Sequence, residues 1–293
     1  MKRFLKRLAL FCLLFLAGFT FCFVVLNYSN SSIFSKFRTN TSVTNIFIGD
    51  SHIQLGINDN LVHNSINLAQ LSEPYKFTLL KLQAILKNNL SVKKVYLGFS
   101  YHNLSSGYDD VVDGEMARDV SAMYFYIFPF KEKVKYMQLF PKDILEYTKL
   151  IMVNGLKNLI VKDHRQTFLG HYENPFTNSA AAIPTMQKRL QIQYYENESL
   201  RPFSIRNMYY LDKIIELCRQ SNVELILLST PLQAWYKKNI PAAYIEKYNT
   251  FLDERNIKPL NLEDMPVDDS CFIEDGDHLS IKGASLLAEQ LNK

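Results

Sequence analysis

Residues that make loops and cross-links are scarce in this chain of 293: it has 10 Gly, 10 Pro, 4 Cys and a single Trp. So little Gly and Pro excludes collagen-like and low-complexity chains, and four Cys over this length exclude a disulfide scaffold. A charge excess is missing as well. Four of the 33 basic residues (Lys2, Arg3, Lys6, Arg7) lie in the first seven positions, which leaves 29 bases against 29 acids in the remainder. A body without net charge has no electrostatic footprint for a polyanion, so no nucleic-acid partner is expected. Apolar mass is what the chain has: 47% hydrophobic residues, with 20 Phe and 17 Tyr, enough for a sizeable core.

Leu8 to Leu26 runs without a charge. At about 1.5 Å per residue it reaches the thickness of a bilayer's hydrocarbon, and the four preceding basic residues hold its start in the cytoplasm. Small residues in an A-x-A pattern, which a cleaved signal needs, are absent around Gly18–Cys22. Phe11 and Phe21 are bulky where a lipid-modified cysteine wants small neighbours. The segment 1–27 therefore reads as an uncleaved single-pass membrane anchor, with the rest of the chain extracytoplasmic. The segment 28–43, rich in Ser, Asn and Thr, reads as a polar stalk. Cys218 and Cys271 remain for the body, either as a disulfide or as two small buried thiols.

Within 44–293, apolar strands are expected at 45–48, 65–68, 94–99, 223–229 and 258–262. Helical spacing is expected over 75–87, 205–220 and 281–291, with Ser280 as the cap of the last. Strands alternating with helices, some near-continuously apolar, predict an α/β fold: a three-layer α/β/α sandwich with a mainly parallel sheet. Ligands in such sheets collect at the carboxyl ends of the strands, which puts Ser51, the segment after Phe99 and the segment after Ser229 on one rim. The interval 104–202 is too long for a connection and is expected to be a largely helical insertion. It contains an aromatic run, 123–130, and a helix over 142–162. Its readings are a lid, a surface facing membrane or partner, or an ordinary subdomain core.

Chemistry concentrates in two short constellations, Gly49-Asp50-Ser51-His52 after the first strand and Asp275-Gly276-Asp277-His278 before the last helix. Ser51 is a hydroxyl on a sharp turn where backbone N–H groups favour a developing anion. His278 can accept its proton. Asp275, three residues earlier, can bind the other ring nitrogen and fix the tautomer. Asp50 is expected to bond nearby backbone.

These motifs resemble the SGNH/GDSL hydrolase superfamily, whose nucleophile lies in a GDS motif and whose Asp and His come as D-x-x-H ahead of the last helix. His278-Leu279-Ser280-Ile281-Lys282-Gly283-Ala284 is similar to the family's H-L-x-x-x-G continuation. The resemblance covers about 44–103 and 205–293 and implies a flavodoxin-like sandwich. Its Ser-His-Asp triad would be Ser51, His278 and Asp275. The family adds oxyanion donors from a Gly after the second strand and an Asn after the third. Here those segments read Asn67-Leu68-Ala69-Gln70 and Gly98-Phe99-Ser100-Tyr101-His102-Asn103. The donors expected here are the N–H groups of Ser51 and Ala69, with Ser100 or Asn103.

Anchor, insertion and these departures are similar to extracytoplasmic members of the family that modify bacterial cell-surface polymers, including polysaccharide O-acetyltransferases. That implies a serine esterase or O-acyltransferase on a cell-surface glycan, beside a membrane-embedded acyltransferase and with no metal or organic cofactor. His52, His102 and Trp235 are candidate substrate contacts. Two other classes remain open. One is a degenerate module that binds glycan or docks an acyltransferase. The other is a metal-dependent phosphoesterase, since Asp50-Ser51-His52 is also D-x-H; the further motifs of that class, GDxxD, GNH and GHxH, are absent, with Gly170-His171-Tyr172 the nearest fragment.

Overall fold

The computed structural model describes residues 1–35, 38–113, 124–125, 128–139, 141–160, 169–177 and 180–293. The chain forms two compact units, Met1–Phe37 with Arg118–Arg165 and Arg38–Ala117 with Gln166–Lys293. The segment 104–202 thus divides between them.

The larger unit is built on a five-stranded parallel sheet of β1 (Asn45–Ile48), β2 (Ser65–Asn67), β3 (Lys94–Gly98), β6 (Glu224–Ser229) and β7 (Leu260–Asn261), in the order β2-β1-β3-β6-β7. All five lie where the apolar pattern predicts strands. Register is set by the buried centres: Ile46 pairs with Ile66 and Val95, and Leu97 with Leu227. Ile46, Ile48, Val95, Leu97 and Leu227 are wholly inaccessible, as a sheet covered on both faces requires. β4 (Tyr195–Glu196) and β5 (Ser199–Leu200) form a separate antiparallel pair.

Helices α2 (Ser51–Gly56), α3 (Tyr75–Asn88), α4 (Gly107–Asp113), α7 (Ile183–Tyr194), α8 (Ile205–Gln220), α9 (Ala234–Lys238), α10 (Ala242–Glu254) and α11 (Ile281–Leu291) complete this unit. Ser280 caps α11 by accepting from the Gly283 N–H, an interaction worth about 1 kcal/mol. Cys218 and Cys271 are buried and unpaired, so the disulfide is not formed; burial pushes the Cys218 thiol up to about 12.

In the smaller unit, α1 (Lys2–Ser35) continues through residues 28–35, well into the segment expected as a stalk. Lys2–Ser29 contains an 18-residue stretch with a mean hydropathy of 2.7 and is long and apolar enough to cross a membrane. With α1 come α5 (Phe130–Leu139) and α6 (Ile144–Ile160); residues 161–162 of the expected helix lie outside the described residues. Of the aromatic run, Tyr124, Phe125 and Phe128 are buried while Phe130 is exposed. Phe125 stacks on Tyr147 of α6 at 4.3 Å between ring centroids. Residues 123, 126 and 127 lie outside the described residues.

Candidate active site

β1 ends on Gly49, whose φ of +140° turns the chain back over the sheet; a Cβ there would meet the Gly98 backbone nitrogen at 3.1 Å. Asp50 then caps α2, its Oδ1 accepting from the His52 N–H at 3.1 Å. Ile53 and Gln54 donate to the Asp50 carbonyl. The Ser51 N–H is left as the amide of this first turn with no acceptor among the described residues.

Far along the sequence, Gly276 has φ +64°, and a Cβ on it would lie 2.5 Å from the Met186 sulfur. The turn it makes lets Asp275 curl back, with Oδ1 accepting from the Asp277 and His278 N–H groups at 3.0 and 3.1 Å. Oδ2 accepts from His278 Nδ1 at 2.7 Å. That bond places the proton on Nδ1 and leaves Nε2 to accept from the Ser51 hydroxyl, also at 2.7 Å. Burial would push the Asp275 carboxyl up, but its bonds to His278 hold it below the ordinary carboxylate range. Ser51, His278 and Asp275, 227 positions apart at the extremes, thus form one hydrogen-bonded line.

Two of the groups expected as oxyanion donors are bonded within the protein. The Ala69 N–H donates to Asn67 Oδ1 at 2.9 Å. Asn67 is itself fixed by its own amide, which donates to the carbonyls of Ile53 and Ile57. Ser100 stands at the head of a 3-10 turn, Tyr101–Leu104, its N–H donating to Asn103 Oδ1. Asn103 Nδ2 donates to Asp50 Oδ2 at 2.7 Å and reaches the Tyr108 oxygen at 3.2 Å. The amides of Ala69 and Asn103 are therefore both engaged inside the protein. Ser72 lines the same cavity of about 210 Å³ as Ser51 and holds a left-handed backbone, φ +55°. No sequence signal marks Ser72, because Gly is the residue that announces such a conformation.

His52, expected as a substrate contact, is turned into the protein. It is 4% exposed, packed edge-on to His278 at 4.7 Å and stacked on His102 at 4.2 Å between centroids. Its Nδ1 meets Thr230 Oγ1 at 3.3 Å, and its Nε2 lies 3.1 Å from Asp277 Oδ2, out of line for a hydrogen bond. His102 borders the cavity, its Nε2 donating to Asp50 Oδ2 at 2.8 Å. Trp235 is half-buried in α9, its N–H donating to Gln233, and the cavity around Ser51 is lined by other residues.

Two carboxylates flank the stacked imidazoles. Asp50 Oδ2 accepts from His102, Asn103 and the Tyr108 hydroxyl (2.6 Å). Asp277 Oδ2 accepts from Arg189 Nε at 2.8 Å and Gln193 Nε2 at 2.7 Å, both presented by one face of α7. Burial alone would raise both carboxyls; His102 and His52 hold Asp50 well below the usual range, and His52 and Arg189 do the same for Asp277. Burial lowers both imidazoles. For His52 the Asp277 charge outweighs it and the pKa rises; for His102 the charge on His52 adds to it and the pKa falls.

His52, His102 and Asp277 also bring one metal-ligating atom each within 4.8 Å of one another. Imidazole lone pairs lie in the ring plane, so two rings stacked 28° apart aim them side by side instead of converging on one ion. Asp277 Oδ2 is moreover shared by a guanidinium and an amide. The cluster is an internally balanced charge network, and a phosphoesterase metal centre finds no support in its geometry.

No family model matches the chain, and no curated protein matches it. Among solved structures it is similar to a chain from Streptococcus pneumonia provisionally described as a platelet activating factor. Identity is 13%, the match covers 98% of this chain and 96% of that one, and the TM-score is 0.40. It is also similar to a chain from Bacteroides fragilis NCTC 9343 provisionally described as an acylhydrolase, at 9% identity, 84% and 83% coverage and a TM-score of 0.38. Fold and site together define an α/β sandwich with a hydrogen-bonded Ser, His and Asp at the carboxyl rim of its parallel sheet.

Proposed function

We propose that the chain is a membrane-anchored, extracytoplasmic serine esterase or O-acyltransferase of SGNH type, acting on an acylated cell-surface glycan. The observation that carries this reading is the pair of 2.7 Å contacts joining Ser51, His278 and Asp275. The Ser51 oxygen attacks the acyl carbonyl as its proton passes to His278 Nε2, and the imidazolium is stabilised by Asp275. The tetrahedral oxyanion is held by the Ser51 N–H and, from the place of Ser72 on the cavity wall, by the Ser72 N–H. Collapse breaks the ester bond, the departing sugar oxygen takes the proton from His278, and an acyl-Ser51 ester remains. His278 next draws a proton from water or from a sugar hydroxyl, giving hydrolysis or transfer. α1 is the anchor, its four basic residues holding the N-terminus in the cytoplasm.

The engagement of the Ala69 and Asn103 amides favours one competing reading, a module that binds glycan or a membrane-embedded acyltransferase without turnover. Losing one oxyanion donor costs about 3 kcal/mol in the transition state, so the two readings separate on rate. The test is hydrolysis of an aryl acetate by the full chain in detergent, with Ser51→Ala and His278→Ala beside it. Turnover abolished in both variants supports the enzyme. No turnover in the unaltered protein, with glycan binding retained, supports the module.

A further inference from the structure

Residues 170–177 form neither helix nor strand, yet this short strap bonds or packs against segments next to Ser51, Ser72 and His278. Just before it, the Leu169 carbonyl accepts from Lys81 Nζ at 3.2 Å, the same ammonium that donates to the Leu68 carbonyl. Gly170 has φ +83°, and a Cβ on it would lie 2.1 Å from the Ala69 carbonyl oxygen. A glycine here lets the strap lie directly on the loop after β2. Further on, the Glu173 N–H donates to the Gln54 carbonyl at 3.4 Å, and the Phe176 carbonyl accepts from the Ile281 N–H at 3.0 Å.

Asn174 stands in the middle of the strap, half-buried while Glu173, Pro175 and Phe176 are exposed. Its Oδ1 accepts from the Phe176 N–H at 3.0 Å, a local bond that fixes the direction of the side chain. Its Nδ2 then donates twice, to the Leu55 carbonyl at 2.7 Å and to the Leu279 carbonyl at 2.9 Å. Leu55 lies one helical turn after Ser51, at the end of α2 where carbonyls have no partner within the helix. Leu279 is the residue after His278. One amide thus joins the helix that carries Ser51 to the segment that carries His278, whose side chains meet at 2.7 Å.

We propose that Asn174 is a positioning residue for the Ser51–His278 pair: its two hydrogen bonds set the separation of hydroxyl and imidazole, although it touches neither. The proposal rests on the serine-esterase reading. The cavity around Ser51 is lined by other residues, so loss of the Asn174 bonds acts on the chemical step and leaves substrate binding alone. A misplacement of about 1 Å between reacting groups costs about 10²-fold in rate. Asp at this position keeps the shape and the bond from Phe176 but sets an oxygen against two carbonyl oxygens in place of the donors.

Aryl acetate turnover and urea midpoints are measured on the full chain in detergent, unaltered and as Asn174→Asp and Asn174→Ala, with Ile214→Val as control. Ile214 is buried on α8, so its truncation lowers the urea midpoint without touching either motif. The expected result is a fall in kcat of about 10- to 100-fold in both Asn174 variants, with KM held within about twofold. Fluorophosphonate labelling of Ser51 slows in parallel, and Ile214→Val keeps its kcat. Where Asn174→Asp does not fold, Asn174→Ala carries the comparison, because water can reach the two carbonyls it uncovers. A folded Asn174 variant with kcat within about twofold of the unaltered protein, an effect confined to KM, or an equal fall in Ile214→Val overturns the inference and leaves the esterase standing. No turnover in the unaltered protein removes the esterase reading and the inference with it.

Discussion

The rings of His52 and His102 stack at 4.2 Å between two buried carboxylates, Asp277 on one side and Asp50 on the other. Directly behind Ser51, this arrangement holds the turn that carries it. The two imidazoles contribute to stability with opposite signs. His52 is raised in the fold, so its contribution is fully present below its unfolded value of about 6.5 and is lost as pH rises through the higher folded value. His102 is lowered, so its effect runs the other way: stability falls as pH drops below about 6.5. His52→Asn is therefore expected to remove the loss of stability on the alkaline side of pH 6.5 and to lessen the loss on the acid side, since the His52 charge is one cause of the His102 shift, read from urea midpoints between pH 5 and 8.

Asp50 and Asp277 are both depressed by their partners, so each contributes stability above the unfolded carboxylate value of about 3.9 that is lost as pH falls toward the folded one. Asp50→Asn keeps the shape but removes the charge that His102, Asn103 and Tyr108 surround. A loss of about 2–4 kcal/mol is expected at pH 7, becoming smaller as pH falls below about 3.9 toward the much lower folded value, by urea unfolding at about pH 7 and about pH 3.

Lys81 and Glu73 form an ion pair at 2.6 Å with neither side chain exposed. Lys81 also donates to the Leu68 carbonyl, which ties the loop carrying Ser72 to α3. Lys81→Met leaves a buried carboxylate and is expected to cost about 3–5 kcal/mol. The double replacement Lys81→Met with Glu73→Leu is expected to recover most of it, which a double-mutant cycle measures.

Gly276→Ala forces a Cβ onto a left-handed backbone and against Met186. A stability loss of about 1–3 kcal/mol is expected, together with a fall in kcat as His278 leaves the Ser51 oxygen. Met186→Ala added to it is expected to restore part of the stability and little of the rate, because the backbone strain stays.

Asp275→Asn retains the shape but loses the acceptor that holds the proton on His278 Nδ1. A fall of about 10⁴ in kcat is expected, as where the third member of a triad loses its charge, with stability changed far less. Aryl acetate turnover beside a urea melt separates the two effects.

The sheet was legible because its strands are short apolar runs closed by Gly, Pro or polar turns, and the meeting of Ser51, His278 and Asp275 because both motifs flank those strands directly. Helix α10 escaped although Tyr244, Tyr248, Phe251 and Leu252 are all buried on one face; its aromatic spacing lies among charges. The network behind Ser51 was hidden for a different reason. Arg189 and Gln193 reach Asp277 from 88 and 84 positions away, and no local pattern states that contact. His52 and His102 read as candidate substrate contacts from their place after strands, whereas packing turns His52 inward and bonds His102 to Asp50. At Ser72 the fold imposes a left-handed backbone on a residue type that seldom adopts it, so propensity gave no sign of it.

The most direct measurement is the mass of the full-length protein after reaction with a fluorophosphonate, followed by peptide mapping of the adduct. The account predicts one adduct, on Ser51, abolished by Ser51→Ala and strongly slowed by His278→Ala. Labelling undiminished in Ser51→Ala, or an adduct on a different residue, would contradict it.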